Sequence, residues 1–192
     1  MLRDWLRCVP QETQNDFVDQ ERNRIVGRNG MSSYHIAQIN IARFVQPKDH
    51  PDNAGFMDAL DHVNAQADAA PGFVWRLIGE GNDAISIDAI ADDPRLAVNM
   101  SVWTDIDSLA AFVYRNPDHL AIMRRRREWL EQMDIYQALW WVPAGHIPPV
   151  AEGMGAIELL RANGPTQQAF TFKQNFDAPD GTPARPVLDE CA

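Results

Sequence analysis

The segment Leu139-Trp140-Trp141-Val142-Pro143 constrains the fold of this chain more than any other. Neighbouring side chains on a strand point to opposite faces. Two adjacent tryptophans therefore put large aromatic surface on both sides of one strand, and both sides must be covered. That suits a sheet with helices on one face and another sheet on the other. Pro143-Ala144-Gly145 closes the strand, and His146 follows just past its end, where binding residues often sit.

The rest of the chain alternates strand and helix. Ala37, Ile39 and Ile41 alternate with Gln38, Asn40 and Ala42, the period of two expected of a strand from Tyr34 to Phe44. Phe56, Leu60, Val63 and Ala67 fall at helical spacing and form one apolar stripe, which stops before Pro71-Gly72. Phe73 to Ile78 and Arg95 to Trp103 are the next strands, and 85–90 is a short strand or an irregular excursion. In the third strand Leu96, Val98, Met100 and Val102 share a side. Thr104 or Asp105 caps a helix with the buried stripe Ile106, Leu109, Ala110 and Val113. Asn116-Pro117-Asp118 interrupts it, and a second helical piece runs from His119 to Met133. Ala138 to Val142 is the fourth strand. Glu152 to Ala162 is a further helix, stopped by Asn163-Gly164-Pro165, and Ala169 to Phe176 is a last strand.

The order β-α-β-β-α-β gives an α+β, ferredoxin-like antiparallel sheet with helices on one face. The other face, if apolar, needs a partner, which a second subunit supplies. A homodimer is therefore expected. Residues 1–30, polar and without an apolar period, are expected to be a poorly ordered arm. The domain spans 31–176, and 177–192, with three prolines and a glycine, is expected to be a loose tail.

A net charge of −10 argues against nucleic acid or an anionic membrane as partner. The one basic cluster, Arg124 to Arg127, spreads around a helix instead of forming a stripe. No apolar run approaches the roughly 20 residues of a membrane span, and the start lacks the apolar core of a secretory signal. A cytoplasmic protein is the expectation. Cys8 and Cys191 make neither a disulfide framework nor a metal set, and the five histidines never fall at the i, i+4 spacing of a zinc helix. No phosphate-binding glycine loop and no nucleophile elbow occur. No metal is expected.

Among polar residues, His119 is the leading catalytic candidate. It opens the second helical piece, with Met123, Arg126 and Leu130 following on the same face. The macrodipole disfavours its protonated form, leaving it available as a base or ligand. The bland alternative is a packing histidine beside Tyr114. Of the arginines, Arg126 alone continues the stripe of Ile122, Trp129 and Met133. It is expected to be partly buried, pairing with a carboxylate, stacking on Trp129 or holding an acidic substrate group. Arg124 and Arg125 belong to solvent. Gln38 and Asn40 share a strand face and need partners if buried, either a bound ligand or simply Arg126 or water. His146 is restrained by flanking prolines, for binding or for purely structural reasons.

Pro71-Gly72-Phe73 and the Trp103-Thr104-Asp105 junction before a helix resemble the dimeric α/β barrel superfamily of antibiotic-biosynthesis monooxygenase-type domains. More narrowly, Tyr34 to Phe176 resembles the family called DUF3291. The carriers are Trp103, Tyr114, His119, the arginines before Trp129, the run 139–148 and the run 164–172. The resemblance implies a dimeric α/β barrel with an apolar cavity between sheet and helices, binding a small apolar or aromatic molecule. It also implies a cofactor-independent monooxygenase-like reaction, with His119 as base and Tyr114 and Asn40 as hydrogen-bonding groups. Arg126 would be the oxyanion or substrate-acid partner. Trp103, Phe112 and Trp141 would form walls beside Gln38, and His146 would contribute from its loop. A noncatalytic binding or dimerisation module is the second reading. The third is a haem protein, since Asn40 and His119 match haem-degrading relatives in kind while Phe112 stands where they carry a tryptophan.

Overall fold

The computed structural model describes residues 32–87 and 93–184. Its elements all lie within one compact unit, Ser33–Ala192. The expectations for residues 1–30, 88–90 and 185–192 lie outside the described residues.

Four strands, β1 (Tyr34–Arg43), β2 (Phe73–Arg76), β3 (Leu96–Trp103) and β4 (Gln137–Pro143), form an antiparallel sheet in the order β2-β3-β1-β4. Helix α1 (Ala54–Asp68) connects β1 to β2. Helices α2 (Ile106–Arg115) and α3 (Pro117–Arg125) connect β3 to β4, and α4 (Val150–Asn163) follows β4. This is the expected α+β, ferredoxin-like arrangement.

Register sorts the side chains into two faces, because residues directly opposite on paired strands share one. Ala37 faces Val102 and Trp140, and Ile39 faces Met100 and Ala138. This apolar face carries the largest buried cluster, packed under Ala156, Ile157 and Leu160 of α4. Ile36 faces Trp103 and Trp141, Gln38 faces Ser101 and Leu139, and Asn40 faces Asn99 and Gln137 on the other side. There Ile36, Trp103 and Leu139 join Ala67 of α1 and Ile106, Leu109 and Ala110 of α2. Trp140 and Trp141 thus project to opposite faces, as their adjacency requires.

Helix α4 lies against the apolar face for which a second sheet or subunit was expected. Gly153 permits the close approach: a Cβ there would stand 2.8 Å from Ile39 Cδ1 and 3.1 Å from the Met100 sulfur. The chain buries this face without help from a partner. Gly72 plays a comparable part before β2, where φ is +80° and a Cβ would clash with the Ser108 hydroxyl.

Two boundaries differ from expectation. Backbone bonds from Thr166 to Ala169 and from Thr171 to Gln174 bend the segment read as a last strand, so only Phe170 pairs with Leu139. Residues 177–184, expected to be loose, are tied in. Ser33 donates to Asp180 from its backbone N–H at 2.9 Å and its hydroxyl at 2.8 Å, and Ala178 is buried. Burial raises the Asp180 carboxyl, but hydrogen bonds from Thr182 and Ser33 outweigh it and hold the group well below the usual range.

Candidate functional site on the helix-covered sheet face

The face under α1 and α2 has a polar centre between two aromatic clusters. At one end Phe44, Ala97 and Trp129 are buried with Phe56 against them; at the other Ile36, Trp103 and Phe170 are buried. Between them lie Gln38 opposite Ser101 and Asn40 opposite Asn99, a two-by-two ladder of neutral polar side chains. Gln38 is 3% exposed, whereas Asn99 is exposed, so solvent reaches the middle of a central strand. The side-chain oxygen of Asn40 is buried with no hydrogen-bond partner among the described residues. A buried acceptor left empty costs about 1–3 kcal/mol, a penalty that a bound donor removes.

Helix α1 does not seal this face. Its inward stripe of Phe56, Leu60 and Val63 is only half-buried, and Ala67 alone is fully covered.

From Ser101 a contact chain leads to His119. The Trp103 indole N–H donates to the Ser101 hydroxyl oxygen at 2.9 Å. Trp103 stacks on Phe112 at 5.4 Å between centroids, and Phe112 meets the His119 ring at 5.3 Å. His119 occupies the first turn of α3. Asn116 caps that turn, accepting from the backbone N–H groups of Asp118 and His119 at 3.0 and 2.9 Å, and Pro117 presets its first residue. The His119 Nδ1 lies 2.9 Å from the Val113 carbonyl. A carbonyl only accepts, so Nδ1 carries the proton and Nε2 holds the lone pair of the neutral ring. Burial lowers the His119 pKa, and the bond to Val113 opposes it without reversing it. The imidazole is a neutral base at pH 7.

Residues 35–185 match the family described as Domain of unknown function (DUF3291). The chain belongs to the DUF3291 family. No curated protein matches it. Among solved structures, it is similar to SnoaB of Streptomyces nogalater, a cofactor-independent oxygenase, with 18% identity, 62% of this chain and 99% of that one covered, and a TM-score of 0.39. It is also similar to PA3566 of Pseudomonas aeruginosa, with 13% identity, coverage of 62% and 100%, and a TM-score of 0.43. NE2512 of Nitrosomonas europaea, of unknown function, gives 15% identity, coverage of 62% and 99%, and a TM-score of 0.39.

Of the site residues expected of this DUF3291 domain, Tyr114 and Trp141 join the aromatic cluster at the Trp103 end, whereas Arg126 and His146 lie away from it. Arg126 was expected on the buried stripe but is exposed, and its guanidinium donates to the Met123 carbonyl in its own turn. The reason is a change of pitch: α3 ends at Arg125, and Arg126–Glu128 form a 3-10 turn that rotates the side chain off the stripe. Arg125 takes the expected stacking place, 4.8 Å above Trp129, while pairing with Glu128. Tyr114 packs edge-on against Phe172 at 5.2 Å. Trp141 donates to the Phe176 carbonyl at 2.8 Å and anchors the C-terminal segment. His146 belongs to the other side of the sheet. Its Nε2 lies 2.8 Å from Glu152, whose second oxygen accepts from Trp140 at 2.8 Å, so it fastens α4 to β4.

The sequence reading missed Asn99 and Ser101. Alternation along β3 puts both opposite the Leu96–Val102 stripe, but only register sets them beside Asn40 and Gln38. A separate cavity of about 470 Å³, lined by Lys48, Asp49, Met57, Ile85, Ser86 and Pro94, includes none of the expected site residues. Among the described residues no cluster of metal ligands occurs, and no helix is long and apolar enough to cross a membrane.

Proposed function

We propose that this DUF3291 domain binds a small, uncharged, largely aromatic molecule over the Asn40–Asn99 ladder. The molecule would be converted in the cofactor-independent oxygenase manner that the sequence resemblance implies. The observation that carries this reading is the buried, empty side-chain oxygen of Asn40 facing a solvent-reached Asn99. A phenolic or enolic O–H is the donor that such an acceptor calls for. The flanking aromatic clusters suit a flat ring, and neutral amides suit a neutral one.

The role left to His119 is that of general base at Nε2. It takes a proton from an activated CH₂ group, and the carbanion combines with molecular oxygen to give a peroxide anion. The imidazolium returns its proton, and the hydroperoxide loses water to leave a carbonyl. Asn40 and Gln38 orient the ring and hold its oxygen substituent; because Phe112 packs between Trp103 and His119, the CH₂ group must extend past the Trp103–Phe112 edge for Nε2 to reach it. Tyr114 belongs to the aromatic cluster beside Trp103 and Phe112, whereas Arg126, exposed and bonded within its own turn, has no part in it.

Native mass spectrometry of the purified protein, with oxygen-uptake assays on the molecule it releases, tests this reading. Bound mass and oxygen uptake that the His119→Ala variant loses would support it; equal uptake by the variant would end His119's role as base.

A noncatalytic binding module is the second reading. It is favoured by Arg126, Tyr114 and Trp141 each being engaged within the chain. Haem fits less well. Phe112, held between Trp103 and His119, offers no hydrogen-bond donor where the relatives carry an indole. The homodimer expected from the sequence must meet through a surface other than the apolar sheet face, which α4 covers. Sedimentation of the full chain tests it.

A further inference from the structure

A polar bridge joins α1 to the turn that carries His119. Gln66 of α1 uses both ends of its carboxamide: its oxygen accepts from the Asn116 amide at 2.7 Å, and its nitrogen donates to Asp118. His62, one helical turn earlier, also reaches Asp118, at 2.9 Å. The carboxylate of Asp118 is held below its usual range first by Gln66 and then by His62. The other end of the Asn116 carboxamide caps α3 at the His119 N–H. Gln66 is therefore two hydrogen bonds from the backbone of the proposed base, and it is anchored in a different helix.

We infer that Gln66 is a positioning residue for His119, acting through Asn116. This rests on the reading of His119 as the base. The physical argument is that a one-residue junction, Asn116, must hold the imidazole against Phe112 and Val113 at once. The cap fixes the turn along the chain, but nothing in the cap fixes it relative to α1. The Gln66 bridge supplies that second restraint. Without it, the exposed His62–Asp118 pair still ties α3 to α1 but does not hold the Asn116 cap, so the cap shifts, the bond from Nδ1 to Val113 loosens, and water reaches the ring.

The test is a nitrogen-15 NMR titration of the full chain without any substrate, comparing wild type with Gln66→Met and Gln66→Glu. Methionine keeps the length and loses both bonds; glutamate keeps the acceptor for Asn116 but sets a carboxylate against Asp118. The wild-type ring should show one neutral tautomer, with the proton on Nδ1, and a midpoint below that of a free imidazole. Gln66→Met should move the midpoint upward and mix the tautomers, with Gln66→Glu moving it in the same direction. An unchanged tautomer and midpoint in both variants would overturn the inference, whatever happened to melting temperature. The readout is independent of turnover. Loss of His119's catalytic role would show instead as an oxygen-uptake rate indifferent to His119→Ala.

Discussion

Asn40 and Asn99 stand directly opposite one another on β1 and β3. The first has a buried side-chain oxygen with no partner; the second is open to solvent. An arrangement that serves only stability would have filled or removed that acceptor. Replacing it with an isosteric apolar group separates the two demands. Asn40→Leu is expected to leave the ligand-free protein as stable as wild type, or more stable by up to about 1 kcal/mol. Ligand retention should be lost. Urea denaturation and native mass spectrometry on the same preparation check both halves.

Two glycines of α4 make opposite predictions. Gly153→Ala would push a methyl group to 2.8 Å from Ile39 Cδ1, so the helix must lift from the sheet. The expected loss is about 1–3 kcal/mol, against a gain in helix propensity of about 1 kcal/mol. Gly155→Ala meets nothing within 4 Å and should raise stability by about 0.5–1 kcal/mol. Equal effects from the two substitutions in urea denaturation would mean that α4 does not sit against the sheet as described.

The pH dependence of stability follows from His119. Burial lowers its pKa in the folded chain, so below the ordinary value near 6.5 the unfolded chain binds a proton that the folded one resists. The stability linked to this group is fully present above that value and declines as pH falls through the folded midpoint. His119→Gln should flatten that part of the profile, measured as unfolding free energy against pH. Turnover should fall at lower pH, as the folded ring itself is protonated around and below its lowered midpoint.

Arg126 is expected to be dispensable. Its guanidinium reaches only its own turn, so Arg126→Ala should change stability by no more than about 0.5 kcal/mol. Turnover should stay within about twofold. A tenfold loss would return it to the site.

The order of elements was legible in the sequence because β1 and β3 alternate, β4 carries paired tryptophans, and each of the first helices has one apolar stripe. The faces of Trp140 and Trp141, the cap at Asp105 and the stop at Gly164 followed from local rules. What failed was non-local. The pairing of Asn40 with Asn99 depends on register between strands separated by α1 and β2. The place of α4 was obscured because its apolar residues run almost all the way round. The glycine at 153, a poor helix residue, was the sign of a close approach. Arg126 was misplaced by carrying a helical period through a segment that tightens to a 3-10 turn. The last strand shrank to one pair at Phe170 because turns on either side bend it away from β4.

The central claim is that the helix-covered sheet face holds a flat, neutral, hydrogen-bond-donating molecule through Asn40. Side-chain amide NMR during titration with 2-naphthol, an uncharged aromatic with a single O–H donor, tests it most directly. The account predicts saturable movement of the Asn40 and Asn99 amide signals, and no movement of Asn99 in Asn40→Leu. Movement confined to the cavity between Lys48 and Pro94, or movement of Asn99 that survives Asn40→Leu, would contradict it.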